Sequence, residues 1–534
     1  MTEPVEIPVI DLFAGPGGLG EGFSAFSSGR GVTRFRVALS IEMERWAHQT
    51  LELRSFYHQF AGKNVPNAYY THLRGEITRS ELFDAFPVAA AAAQKKAWKA
   101  ELGVVDDVEV DRRIRGALGS AEKWVLCGGP PCQAFSVVGR SRNGGIADDD
   151  HRVYLYRQYL RILSVHEPPI FIMENVKGLL SSQVNGSDIF EQMLDDLRHP
   201  AGVTGGRRTS AARYSLFSLR GLAEKRTDQR YSPADFVVKC EDYGIPQSRH
   251  RVIILGIRED LTDRDIPVLN RRPKHVAASR LLKGLPRLRS GLTRSEDGRA
   301  EWQQTLFEIL DSDFMHSRRN GSDARLRDRI ARTLVGMRDF RADRGSEFII
   351  CNPRVGYRPD WFLDSALGGV CNHSTRPHMP SDLHRYLYAA CYAKVHRRSP
   401  ELKDFPASLH PEHRNLDDAL RKGLFDDRFR VQLAHRPATT ITSHIAKDGH
   451  YFIHYDEAQC RSLTVREAAR LQTFPDNYYF CGPRTHQYRQ VGNAVPPLIA
   501  CQIAGLVAKV FHAAEESSSD SRSTPEAQPE VRYG

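Results

Sequence analysis

The sequence is poor in the features that would take it out of the ordinary globular class. It has no apolar run of the roughly 20 residues needed to cross a bilayer. Its start, MTEPVEIPVIDLF, lacks the basic stretch and small-residue cleavage site of a secretory leader, so the first apolar run is expected to be a strand and the protein to work in the cytoplasm. Cysteine is scarce: nine in 534 residues, an odd number without a CxxC pair, which argues against a disulfide framework and leaves thiols free for chemistry. No repeat at a solenoid period is visible. Acidic residues are outnumbered, 65 Asp and Glu against 75 Lys and Arg, and the resulting formal charge of +10 favours a polyanionic partner without deciding for one.

What is present is 41% hydrophobic and 26% charged, the composition of a soluble globular protein, and the length leaves room for two or more domains. From residue 8 to about 257, short β-branched runs alternate with helical patterns, which predicts an α/β fold with a mostly parallel sheet flanked by crossover helices. Val9 to Phe13, Val37 to Ile41, Trp124 to Cys127 and Ile170 to Met173 are expected as buried strands, and Phe236 to Lys239 with Arg251 to Ile257 as a closing pair. Asp148, Asp149 and Asp150 favour a helix start before Tyr156, Tyr159, Leu160 and Leu163. After Ile257 the alternation stops. Residues 261–450 are expected as a second, smaller domain, 451–513 as a return to the first (1–260), and the Ser-, Glu- and Pro-rich 514–534 as a disordered tail.

Four segments carry chemistry. The first strand runs into Ala14-Gly15-Pro16-Gly17-Gly18-Leu19-Gly20, a turn that lets backbone approach a nucleotide-like ligand, and Glu42 ends the next strand where it can accept from ribose hydroxyls. A tight turn without a ligand is the bland alternative. The strand at 124 to 127 ends in Gly128-Gly129-Pro130-Pro131-Cys132-Gln133-Ala134-Phe135-Ser136, which sets a cysteine on a loop at a sheet edge, with Arg140 and Arg142 in the glycine-rich stretch beyond as a basic flap. Glu174-Asn175-Val176 puts a carboxyl at the same edge. In Gln247-Ser248-Arg249-His250-Arg251 the period of two points Arg249 and Arg251 to one face, suited to a base and its phosphate, a solvated basic strand edge being the alternative.

In this order, and with Arg461 to Pro475 and Arg489-Gln490-Val491-Gly492-Asn493-Ala494-Val495-Pro496-Pro497 after them, the segments resemble the cytosine-C5 DNA methyltransferases of bacterial modification type. The resemblance covers residues 8 to 260 and about 435 to 510. It implies the Rossmann-like fold of class I S-adenosylmethionine-dependent methyltransferases, with Cys132, Glu174, Arg249 and Arg251 catalytic. Phe13, Gly15, Gly17, Gly18, Leu19, Glu42, Asn493 and Val495 would then line the cofactor site, and Glu76 would stand where the family has an aspartate on the adenine amino group. It also implies duplex DNA as partner, a flipped cytosine, a monomer in the nucleoid, and a setting in restriction-modification or another phage defence. A transfer-RNA methyltransferase is the rival that the same cysteine chemistry allows. Arg318, Arg319, Arg325, Arg327, Arg329 and Arg332 form the densest basic run of 261–450, as a DNA-facing or a solvated helix face. Cys371, His373 and His378 lack a second pair at finger spacing, so no metal is expected.

Overall fold

The computed structural model describes residues 5–27, 33–60, 64–130, 151–181, 183–184, 187–203, 212–220, 232–261, 266–293, 296–317, 322–412 and 427–520. One sheet organises them: β1 (Val5–Leu12), β2 (Thr33–Glu42), β3 (Ala97–Lys99), β4 (Val125–Gly128), β5 (Ile170–Val176), β6 (Tyr214–Ser218), β7 (Val237–Lys239) and β8 (His250–Arg258). The order is β3-β2-β1-β4-β5-β8-β6, with β7 also on β8. Strands β3 to β5 are parallel, and β8 runs antiparallel to β5, β6 and β7. The expected mostly parallel sheet is therefore present with an antiparallel flank. Runs such as Ile170 to Met173 are 0% exposed because helices cover both faces.

Chain order reverses at β1, which lies between β2 and β4, so the carboxyl ends of β1 and β4 border the crevice where doubly wound sheets hold their ligands. Helix α1 (Gly18–Ala25) follows β1, α2 (Arg45–Tyr57) follows β2, and α3 (His151–His166) precedes β5. The three aspartates at 148 to 150 that were read as its start lie outside the described residues.

The far end of the chain completes this body. Helix α8 (Pro497–Asp520) lies on α1 so closely that a Cβ on Gly22 would sit 2.4 Å from the Ala500 Cβ. The helical stretch Arg484–Ala513 contains an 18-residue window apolar enough to cross a membrane, yet 78% of that window is buried inside the fold, as befits a core helix. Helix α8 continues to Asp520, into the segment expected as a tail, and 521–534 lie outside the described residues.

Between these halves, Leu292 to Cys460 supply a core of their own, centred on Trp302, Leu326, Ile330, Tyr386 and Phe429, where α4 (Ser322–Met337) meets α5 (Pro380–His396). Leu269, Leu281, Phe362 and Val370 pack instead with the sheet cluster of Ile7, Val9 and Ile253.

The late segment from Arg461 to Pro475 joins the two. Around α6 (Val465–Leu471), Arg461 forks onto Glu467 at 2.7 and 2.7 Å, and Arg470 onto Asp476 at 2.9 and 2.6 Å. Arg466 donates to the carbonyls of Cys371, Pro475 and Tyr478. All three arginines are at most 1% exposed, a burial that fixed bidentate and carbonyl partners make tolerable. His373 bonds to Thr464 and the Pro286 carbonyl, and His378 to Ser462, while Cys371 packs with Leu53 and Phe56.

Candidate functional site

The sheet delivers its chemistry to one edge. A cavity of about 1370 Å³ is lined by the ends of β1 (Asp11, Phe13, Gly15, Gly18, Leu19), β2 (Glu42, Met43), β3 (Ala100, Glu101, Leu102), β4 (Gly129, Pro130) and β5 (Glu174, Asn175), and by the start of β8 (Arg249, Arg251). Asn493, Val495 and the wall Thr439 to Lys447 complete it. Small-molecule pockets rarely exceed about 1,000 Å³, so the space suits more than one guest.

The turn after β1 is built for close approach. Phe13 (φ 54°), Gly15 (φ 56°) and Gly17 (φ 91°) all have left-handed backbone, and for Phe13 that conformation costs energy held in place by the surrounding fold. A Cβ on Gly18 would lie 2.1 Å from the Val495 carbonyl oxygen, so only glycine lets the chain's two ends meet here. Gly17 itself is not in the lining. It caps α1 and sits under Leu51 and Tyr478.

Glu42 accepts from the backbone N–H of Gly15 at 2.8 Å and of Glu44 at 2.7 Å, which fixes the turn while its carboxyl still lines the cavity. Burial raises its pKa against the lowering effect of those donors. Asp11, 1% exposed, is pushed up to about 7 by burial, with the Cys127 thiol and the Gly20 N–H pulling the other way and Glu42 adding repulsion. Cys127 itself is a buried thiol raised well above its ordinary value, unsuited to attack.

Glu174 and Arg251 form an ion pair at 2.8 Å, each side chain 13% exposed. A Cβ on Gly129 would come within 2.8 Å of the Glu174 carboxyl, so the glycine run after β4 gives that carboxyl its space. The described chain stops at Pro130, whose carbonyl accepts from the Asn175 side chain at 3.4 Å. Cys132, Arg140 and Arg142 lie outside the described residues, and Pro130, two residues before Cys132, lines the cavity.

Arg249 and Arg251 part company. The strand is interrupted between Ser248 and His250, where the Arg249 N–H turns back to the Gln247 carbonyl at 2.9 Å. Arg249 is 1% exposed and donates to the carbonyls of Ile441 at 2.7 Å and Gly492 at 3.3 Å. Burial and then the neighbouring Arg251 bring it down to about 9, so it stays protonated at neutral pH. Both arginines line the cavity, as expected of one face, but Arg249 is held by the wall through Ile441 and Gly492 whereas Arg251 is held by Glu174.

Glu76 is corrected in place. It is exposed, pairs with Arg74 at 2.8 Å and is absent from the cavity lining, because it precedes a helix instead of ending a strand. Glu101 and Leu102, just past β3, occupy the cavity instead, and a three-residue strand left no run in the sequence to mark them. The wall from Thr439 to Lys447 carries no local mark in the sequence and is a cavity lining only in the fold.

The family model for C-5 cytosine-specific DNA methylases matches residues 95–200 and 219–509. Type II methyltransferase M.Bpa9945I of Bacillus paralicheniformis is 30% identical over 523 residues, covering 94% of this chain and 99% of that protein. Type II methyltransferase M.AgeI of Thalassovita gelatinovora is 27% identical, over 74% of this chain and 85% of that one. The DNA (cytosine-5-)-methyltransferase M.ApeKI of Aeropyrum pernix is 25% identical, over 94% and 98%. With the glycine turn, the Glu174 pair and the late segment Arg489 to Val495 in one cavity, the chain belongs to the C-5 cytosine-specific DNA methylase family and is a DNA (cytosine-5-)-methyltransferase.

Proposed function

We propose that the protein methylates C5 of a cytosine turned out of duplex DNA at a defined sequence, with Cys132 adding to C6, as the modification partner of a restriction or other defence component. It would work as a monomer, in the cytoplasm, on nucleoid DNA. The observation that carries this is the convergence of the Glu174–Arg251 pair and the Pro130 end of the loop bearing Cys132 on the cavity bordered by the glycine turn.

The lining fits S-adenosylmethionine. Asp11, Glu42, Glu44 and Glu101 give the side near the glycine turn an acidic character that suits a cationic cofactor, and Gly15 and Gly18 leave its path open. Phe13, Leu19, Asn493 and Val495 would complete that site, with Glu101 in the place expected of Glu76. When bound, the cofactor supplies an electrophilic methyl group. No metal enters the scheme.

The rest falls to the chain. C5 of cytosine is a weak nucleophile until the Cys132 thiolate adds to C6. Glu174, carrying a proton once it gives up Arg251, donates to N3, and Arg251 donates to the O2 oxygen, so that the charge brought by the thiolate is drawn off the ring. After methyl transfer the C5 proton leaves and the thiolate is expelled. Extruding the base costs a few kcal/mol, which pocket and flap contacts offset. Within the 261–450 segment proposed to read the sequence, the part with its own core begins at Leu292.

Labelled S-adenosylmethionine with duplex DNA or transfer RNA tests this. Label is expected in DNA, and label confined to RNA would refute it. Bisulfite sequencing of DNA from expressing cells would then give the methylated sequence.

A further inference from the structure

The cavity is electrically divided. Its acids, Asp11, Glu42, Glu44 and Glu101, come from the first 101 residues, whereas Arg430, His444, Lys447 and Arg489 come from the last 105. Glu174 and Arg251 neutralise each other, His486 caps Glu44 at 3.1 Å, and Arg430 is engaged by Asp427. Lys447 and Arg489 are different. Both are exposed, both line the cavity, and neither forms an ion pair among the described residues.

These two cations stand on parts locked together. Arg489 belongs to α7 (Arg484–Asn493), and Lys447 follows the turn Ser443–Ala446. A Cβ on Gly492 would lie 2.3 Å from the Ser443 nitrogen, so helix and turn touch backbone to backbone. Arg376 donates to the carbonyls of Ile445 at 2.6 Å and Lys447 at 3.0 Å while its guanidinium lies 4.3 Å over the ring of Tyr488. Arg249 fastens the same turn from beneath, through Ile441 and Gly492. Two cations without an ion pair on a braced wall, with the hydroxyls of Thr442 and Ser443 shortly before Lys447 in sequence, form an anion seat that no acid among the described residues fills.

We infer that Lys447 and Arg489 hold the DNA backbone phosphates that bracket the extruded nucleotide. This rests on the proposed function. Phosphate contacts carry no sequence information, so they fix position and add salt dependence, each removing about 0.9 from the slope of log affinity against log salt.

The test titrates the full chain with duplex DNA of a methylated sequence and, separately, with S-adenosylmethionine. The double variant Lys447→Gln, Arg489→Gln is expected to bind DNA at least about tenfold more weakly near 0.1 M salt, to lose about 2 from the salt slope, and to keep its cofactor affinity. An unchanged slope, or loss of cofactor binding in parallel, overturns the inference alone. If the wild-type chain neither binds nor methylates duplex DNA, the function proposed above falls and takes the inference with it.

Discussion

Helix α4 is rich in arginine and the cavity wall carries only two exposed cations among the described residues, Lys447 and Arg489, yet the structure puts them to different uses. On α4, Arg329 is engaged by Glu457, Arg332 pairs with Asp328 at 2.9 Å, and the Arg327 guanidinium lies 6.0 Å from the Phe314 ring. The helix buries Leu326, Ile330 and Leu334, and none of its residues lines the cavity. Arg318 and Arg319 lie outside the described residues. The wall has fewer cations, but Lys447 and Arg489 form no ion pair among the described residues. Density of arginine in a sequence therefore says less than whether the fold supplies the counter-charge.

Substitutions can break or sharpen that contrast. Cys132→Ala sets the upper end: methyl transfer should fall by more than about 10⁴-fold while DNA and cofactor titrations stay near wild type. Undiminished transfer would overturn the mechanism. Glu174→Gln comes next, with kcat down about 10²- to 10⁴-fold and the KM for DNA little changed, measured by steady-state methylation. Arg249→Met removes the tie beneath the wall. It should cost roughly 2–4 kcal/mol of stability in denaturant unfolding and raise the KM for both substrates, unlike any change on α4.

Asp11→Asn gives a smaller, pH-dependent signal. The folded value of about 7 lies above the ordinary carboxylate value, so the stabilisation linked to this group is full below about 3.9 and is lost as pH rises through 7. The variant should therefore show a flatter Tm profile over that range and a Tm at pH 8 raised by about 2–4 °C. Smallest is the double variant Arg325→Gln, Arg332→Gln on α4, expected to change DNA affinity by less than about twofold. A tenfold loss there would return α4 to the DNA interface.

Features encoded locally were open to the sequence. Strands of four or more β-branched and apolar residues stood out, as at Ile170 to Met173, and the glycine turn and Glu174 came with them because each directly adjoins its strand. Features made by distant packing were not. β3 has three residues, so nothing distinguished Glu101 from Glu76 as the acid at a strand end. The pairing of Ala438 and Thr439 with Gln247 and Ser248, which turns a connection into a cavity wall, spans about 190 residues with no local mark. Nor did the period of two show that the backbone turns at Arg249.

The seat of Gly18 on the Val495 carbonyl also has a bearing on biosynthesis. A ribosome has to add some 477 residues after the glycine turn before the partner that closes it emerges. Nascent chains that have passed the early motifs, the proposed nucleophile Cys132 included, consequently hold them without the Val495 side of the cavity. With the proposed cofactor site in this cavity, methylating capacity would arrive only with the last part of translation, and incomplete products would be silent by construction.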